Sequence, residues 1–195
     1  MNKILVLLSG VFLFLFSCNS IEEQAEVSPI KKEPLSVFPV TEFLKGQLKE
    51  VENSPVTPLK TTVINGHIDS TWISRDSIRI FASPFLTPVI DSASLSEFFN
   101  GDSFLDQTIH SITLSYEANN NLPQNISLRT IDIYVEPVGN TITKVYLLKE
   151  NYNDPLRTKV QLTWKTGEWC KIVTITQKEG VEPVIKEEKM TWAFD

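Results

Sequence analysis

Few stretches of this 195-residue chain combine residue types that do chemistry. His67-Ile68-Asp69 is one. In an extended chain alternate residues share a face, so this imidazole and carboxylate stand side by side. Such a pair can begin a metal site. The other histidine is His110, no cysteine is near in sequence, and Lys60 and Thr62 fall on the same face. A solvated strand face accounts for the pair, and no metal ligand is assigned. Glu187 and Glu188 are adjacent and point to opposite sides of a strand, so they cannot face each other across a substrate. The chain has no G-x-S-x-G, H-E-x-x-H, Gly-rich phosphate loop or C-x-x-C. Its seven glycines leave little room for a phosphate cradle. Acids paired from distant positions, as in glycosidases, leave no mark in a single sequence. No catalytic residue and no cofactor are assigned.

Trp72, Trp164, Trp169 and Trp192 all fall in strand-like runs. Aromatic residues on a sheet either pack across strands or line a sugar or lipid site. Trp164 and Trp169 are the candidate place for an apolar or glycan ligand, with cross-strand core as the plainer account. The two cysteines are Cys18 and Cys170. Cys170 sits inside the run Trp169 to Gln177 and reads as a buried free thiol acting as a small hydrophobe.

Cys18 closes a different pattern. Lys3 gives a short positive start, and Ile4 to Phe16 is apolar except for Ser9 and Gly10. A membrane-spanning helix needs about 20 apolar residues, whereas the apolar core of a secretory signal needs about 7 to 15. Leu15-Phe16-Ser17-Cys18 resembles a bacterial lipobox. Leu15, Ser17 and Cys18 match, and Phe16 replaces the usual small residue. The resemblance implies cleavage before Cys18 and lipidation of its thiol and new N-terminus. Residues 1–17 are then the signal peptide, and 18–37 the lipidated cysteine and a flexible tether. Asn19 to Val37 is polar, holds Pro29 and Pro34, and lacks the apolar content to order itself. Its Glu22-Glu23 pair resembles the surface-export signals of lipoproteins in Bacteroidota-type bacteria. The chain as a whole resembles small uncharacterised lipoproteins of that group. Three triplets, Asp69-Ser70-Thr71, Asp76-Ser77-Ile78 and Asp91-Ser92-Ala93, resemble the protein O-glycosylation acceptor of the same bacteria. Turn and cap chemistry explains the same residues.

There are 24 acidic residues against 18 basic ones. This balance argues against a nucleic-acid partner and offers no polybasic patch for anionic lipid. Membrane attachment is therefore expected through the lipid on Cys18, at the outer membrane, on its periplasmic face or at the cell surface.

Residues 38–195 read as a single α+β domain. Val40, Phe43, Leu44, Leu48 and Val51 form one stripe at helical spacing, predicting an amphipathic helix from Phe38 to Glu52 at the N-terminal end of the domain. Asn65-Gly66 predicts a two-residue hairpin turn. It sets Val63 opposite Ile68, Thr61 opposite Ser70 and Leu59 opposite Trp72 on one half-buried face. Ser77 to Phe81 fits a short helix ended by Pro84, or a strand. Ser94 to Gly101 fits a second short helix. From Thr108 onward the period is two, predicting strands at 109–118, 127–136, 141–150, 157–165, 168–177 and 184–194. Short links make them an antiparallel meander. At Thr166-Gly167 a two-residue turn pairs Trp164 with Trp169, while a type I turn with Gly167 in a bulge shifts that register. The expected fold is an antiparallel sheet of about six to eight strands with the helix packed on it. The expected function is a non-enzymatic binding or structural module held at the membrane, its partner an envelope protein, lipid or glycan. A hydrolase acting on envelope glycans or esters is the alternative.

Overall fold

The computed structural model describes residues 36–91, 95–153 and 155–193. The expected signal peptide, Cys18, the Glu22-Glu23 pair and nearly all of the expected tether lie outside the described residues, as do Ser92 and Ala93 of the third triplet. The chain from Glu33 onward forms one compact unit.

Among the described residues that unit is a nine-stranded, wholly antiparallel sheet with two short helices and a helical residue at Leu95. The strands are β1 Leu59–Ile64, β2 His67–Trp72, β3 Phe99–Asp106, β4 Ser111–Ala118, β5 Leu128–Glu136, β6 Thr141–Asn153, β7 Leu156–Lys165, β8 Trp169–Lys178 and β9 Val184–Thr191. Their order is β2-β1-β9-β8-β7-β6-β5-β4-β3. β3 to β9 are a plain meander because each link is short enough to return only to its neighbour. β1 breaks the sequence order by pairing with β9, joining the N-terminal hairpin to the C-terminal end of the sheet. The helices are α1 Val40–Asn53 and α2 Arg75–Ala82, followed by a 3-10 turn at Ser83–Leu86.

α1 keeps the predicted stripe, and Val40, Leu44, Leu48 and Val51 are buried. Phe43 is only half-buried, its ring edge-on to Phe38 at 6.3 Å. The helix starts at Val40 with Pro39 as its cap rather than inside its first turn. α2 resolves the choice at Ser77 to Phe81 in favour of helix. Pro84 ends the α-helical pattern, yet Ser83 stays right-handed helical and the chain tightens into the 3-10 turn.

Two expectations fail. The helix read at Ser94 to Gly101 does not run its length: Ser94 lies outside the described residues, Leu95 is helical, Ser96–Phe98 is a turn, and β3 begins at Phe99. Pairing along the whole of β4 outweighs the local Asn100-Gly101 signal, and it supplies the ninth strand. The last strand ends at Thr191 rather than 194.

The core lies on one face of the sheet. Ile133, Val145, Trp164, Cys170 and Met190 form one cross-strand row, and Tyr116, Ile131, Leu147, Leu162 and Ile172 the next. All are buried. The segment carrying the helices packs over them. Phe85 meets the Trp164 ring at 5.3 Å, and the Tyr116 hydroxyl donates to the Ser36 carbonyl at 3.1 Å. Thr41 and Ile90 tie the two ends of this segment together, the Ile90 N–H donating to Thr41 Oγ1 at 2.7 Å.

The Asn65-Gly66 hairpin has the predicted register, Leu59 with Trp72, Thr61 with Ser70 and Val63 with Ile68. Its orientation is the reverse of the half-buried reading. Lys60 pairs with Met190, so the polar set Lys60, Thr62 and Asp69 shares the face of the core. Leu59, Val63, Ile68 and Trp72 lie on the other face, and every residue of β2 is exposed. The reason is lateral position: β2 is the edge strand, beyond the reach of the helices. A 14-residue helix is about 21 Å long, while nine strands at about 4.8 Å spacing span about 40 Å. At this end a charge network replaces apolar packing. Glu188 accepts from Lys60 at 2.7 Å and from Lys186 at 2.9 Å. Burial pulls the Glu188 carboxyl up, but these lysines more than offset it and leave its pKa lowered.

Candidate functional site

The helices cover one face of the sheet. The opposite face is furnished by the alternate residues of the same strands, and register aligns them into rows. One row crosses β5 to β9 as Tyr134, Lys144, Lys165, Trp169 and Thr191. The next runs Asp132, Tyr146, Thr163, Lys171 and Lys189. Lys144 is therefore opposite Lys165, and Lys171 is opposite Lys189. Like charges in direct cross-strand pairs are unfavourable.

The lysines relieve this in two ways. Two lie on rings: Lys144 Nζ is 3.7 Å from the centre of Tyr134, and Lys189 Nζ is 4.9 Å from the centre of Trp169. Two reach carboxylates at long range, Lys165 to Glu168 at 3.4 Å and Lys171 to Glu187 at 3.6 Å. Burial lowers the Lys144 pKa, and the charge of Lys165 lowers it further, against the pull of Asp132 and Asp106.

Beside the lysines sits a half-buried carboxyl. Burial raises the pKa of Asp132, and a hydrogen bond donated by Ser115 Oγ at 2.6 Å opposes the rise. The phenols of Tyr134 and Tyr146 are shifted up by burial and then by Asp132. Thr113, opposite Tyr134, is buried and its hydroxyl has no partner among the described residues. Tyr134, Thr143, Lys144, Lys165, Ser111 and Ile109 line a shallow recess of about 160 Å³. Hydroxyls, ammonium groups and half-exposed rings on an open face can hydrogen-bond, stack and hold negative charge.

The residues singled out in the sequence are not brought together here. Trp164 is fully buried, between Phe85 and Trp192 at 5.3 and 5.4 Å. Trp169 is half-buried on the opposite face, under Lys189. The turn decides this. Gly167 has φ +76°, and Trp164 pairs with Cys170 while Lys165 pairs with Trp169. This is the three-residue loop with glycine in the left-handed position, not the two-residue turn. One register step puts the two indoles on opposite sides of the sheet, so a ligand on one face cannot touch both. Cys170 is a free buried thiol with its pKa pushed well up by burial. His67 and Asp69 are exposed on edge strand β2. His110 lies in a turn with Nδ1 2.7 Å from the Gln107 carbonyl oxygen. Among the described residues no three His, Cys, Asp or Glu side chains gather as a metal site. Asp69-Ser70-Thr71 is on the exposed strand β2, and Asp76-Ser77-Ile78 begins α2 with Ile78 buried.

Sequence reasoning missed Asp132, Ser115, Tyr134, Tyr146 and the four lysines as a group. Their signal was the polar half of the alternation in β4 to β9, which shows a face but not which residues of different strands meet on it.

No protein-family model matches this chain, and no curated protein does. Among solved structures it is similar to an S-type phycobiliprotein lyase, CPES, from Guillardia theta, at 10% identity over 78% of this chain and 97% of that one. The TM-score is 0.22, too low for the likeness to bear on fold detail or activity.

Proposed function

We propose that this protein is a lipid-anchored cell-envelope module that holds a partner near the membrane, without catalysing a reaction on it. The observation that supports the reading is the helix-free face of the sheet. It presents half-buried tyrosines, lysines, a tryptophan and one carboxyl in register, a surface made for contact rather than for packing. Attachment rests on the Leu15 to Cys18 boundary, with 18–37 as a tether that reaches roughly 25 Å. The place is the outer membrane, on its periplasmic face or at the cell surface. The partner is an envelope protein, lipid or glycan, and no cofactor enters the reading.

The test is fractionation of cells producing the wild-type chain or Cys18→Ser, with mass spectrometry of the membrane-extracted protein. Wild type should be in the membrane pellet and carry acyl chains at residue 18, and the variant should be released. A variant wholly retained in the pellet overturns the anchor. Turnover of peptidoglycan, glycan or ester substrates by purified protein, abolished by replacing one acidic residue or His67, overturns the non-catalytic half.

A further inference from the structure

Across β6 to β9 the two adjacent rows of the helix-free face contain eight positions: Lys144, Lys165, Trp169 and Thr191, then Tyr146, Thr163, Lys171 and Lys189. Four are lysines and none is acidic, in a chain whose net charge is −6. The patch is about 14 Å wide and about 7 Å tall from strand spacing and rise. Its lysines form two like-charged cross-strand pairs, Lys144 with Lys165 and Lys171 with Lys189. A folded sheet keeps such pairs at a loss unless something else neutralises them. Lys144 and Lys189 rest on aromatic rings rather than on carboxylates. Carboxylates approach the patch at its margin: Glu168 and Glu187 reach Lys165 and Lys171 at 3.4 and 3.6 Å, and Asp132, held by Ser115, stands next to Tyr146 on β5.

We infer that this patch binds an acidic glycan, its carboxylates held between the paired lysines and its sugar faces against Trp169 and the tyrosines Tyr134 and Tyr146. The inference rests on the reading of the domain as a binding module and names the class of its ligand. Charge complementarity selects the acidic substituents. The rings select the sugar: half-exposed aromatic faces beside hydroxyls (Thr163, Thr191) suit the alternating apolar and polar faces of a pyranose. A plain anion would engage the lysines but leave the rings unused. Binding should draw Lys189 off Trp169, the one tryptophan of the patch, and Lys144 off Tyr134, freeing both ring faces for the sugar.

The test uses the full-length chain carrying Cys18→Ser, titrated with oligogalacturonate and with the same oligomer fully methyl-esterified. The ester keeps the sugar backbone and removes the charge. The acid form should bind and change the tryptophan emission, about tenfold more tightly than the ester. It should weaken in high salt, as screening of exposed charges requires. Lys165→Gln combined with Lys189→Gln should weaken the acid form about tenfold, whereas Lys49→Gln on the exposed side of α1 should leave it unchanged. Equal binding of acid and ester, or equal loss in both lysine variants, overturns the acidic class and leaves a binding module standing. Binding of inorganic phosphate or phosphatidylglycerol vesicles without binding of the oligomer overturns the glycan. Cleavage of the oligomer overturns the module reading itself.

Discussion

Lys149 offers a test of the core packing that needs no ligand. It is only 9% exposed, on the core face of β6, and its ammonium donates to the carbonyls of Pro84 and Thr87 in and after the 3-10 turn. Burial lowers its pKa from an ordinary 10.5 to about 8. In the unfolded chain the amine returns to the ordinary value, so between these limits the unfolded state binds more protons and stability must rise with pH. Between pH 7 and 9.5 the two values imply a gain of about 2 kcal/mol from this group. Cys170 works the other way. Its buried thiol stays protonated when folded, so stability is lost as pH rises past the unfolded thiol value, by about 1 kcal/mol at pH 9.5. The upward-shifted tyrosines act in the same direction as Cys170, mainly above pH 10. The decisive quantity is therefore a difference between proteins. Urea midpoints of wild type and Lys149→Met at pH 7 and 9.5 should show a wild type that gains up to about 1 kcal/mol and a variant that loses about 1. Cys170 and the tyrosines are common to both and cancel. Equal pH responses in the two proteins would refute the buried ammonium, and with it the seating of the 3-10 turn on β6.

Other expectations follow from burial and register. Leu44→Ala, at a fully buried site, should destabilise by about 2–5 kcal/mol, and more than Phe43→Ala, whose ring is half exposed; denaturant midpoints give the order. Asp132→Asn should be neutral or mildly stabilising at pH 7, because the raised carboxyl pKa marks a charge the fold disfavours, and the difference should vanish below pH 3, where both side chains are neutral. Gly167→Ala should cost about 1 kcal/mol, since φ +76° strains any residue with a Cβ while nothing else obstructs it; thermal unfolding would show the shift. Cys170 should resist a thiol reagent in the native protein and react as urea unfolds it, and rapid native labelling would place it outside the core.

Local patterns were enough for the elements whose signals are local. The α1 stripe, the Asn65-Gly66 register and the six later strands depend on periodicity and on turn residues whose preferences act over a few bonds. The expected signal peptide ending at Cys18 rests on a linear motif of the same local kind. Partnership between distant segments is what only the tertiary structure decided. β3 exists because β4 offers it a full ladder, and no local residue announces that. β1 joins β9 across more than a hundred residues, and this junction, not the hairpin's own alternation, chose which of its faces meets the core. The turn at Gly167 allowed two registers, and a shift of one residue moved Trp169 to the far side of the sheet from Trp164. The lysine rows arise in the same way. Lys144, Lys165, Lys171 and Lys189 are ordinary solvent-side residues of four strands, and they become a site only when hydrogen-bond register sets them opposite one another. Strand periodicity assigns a residue to one of two faces, while position along the sheet is fixed by pairing, and pairing energy is summed over whole ladders that no short window of sequence contains.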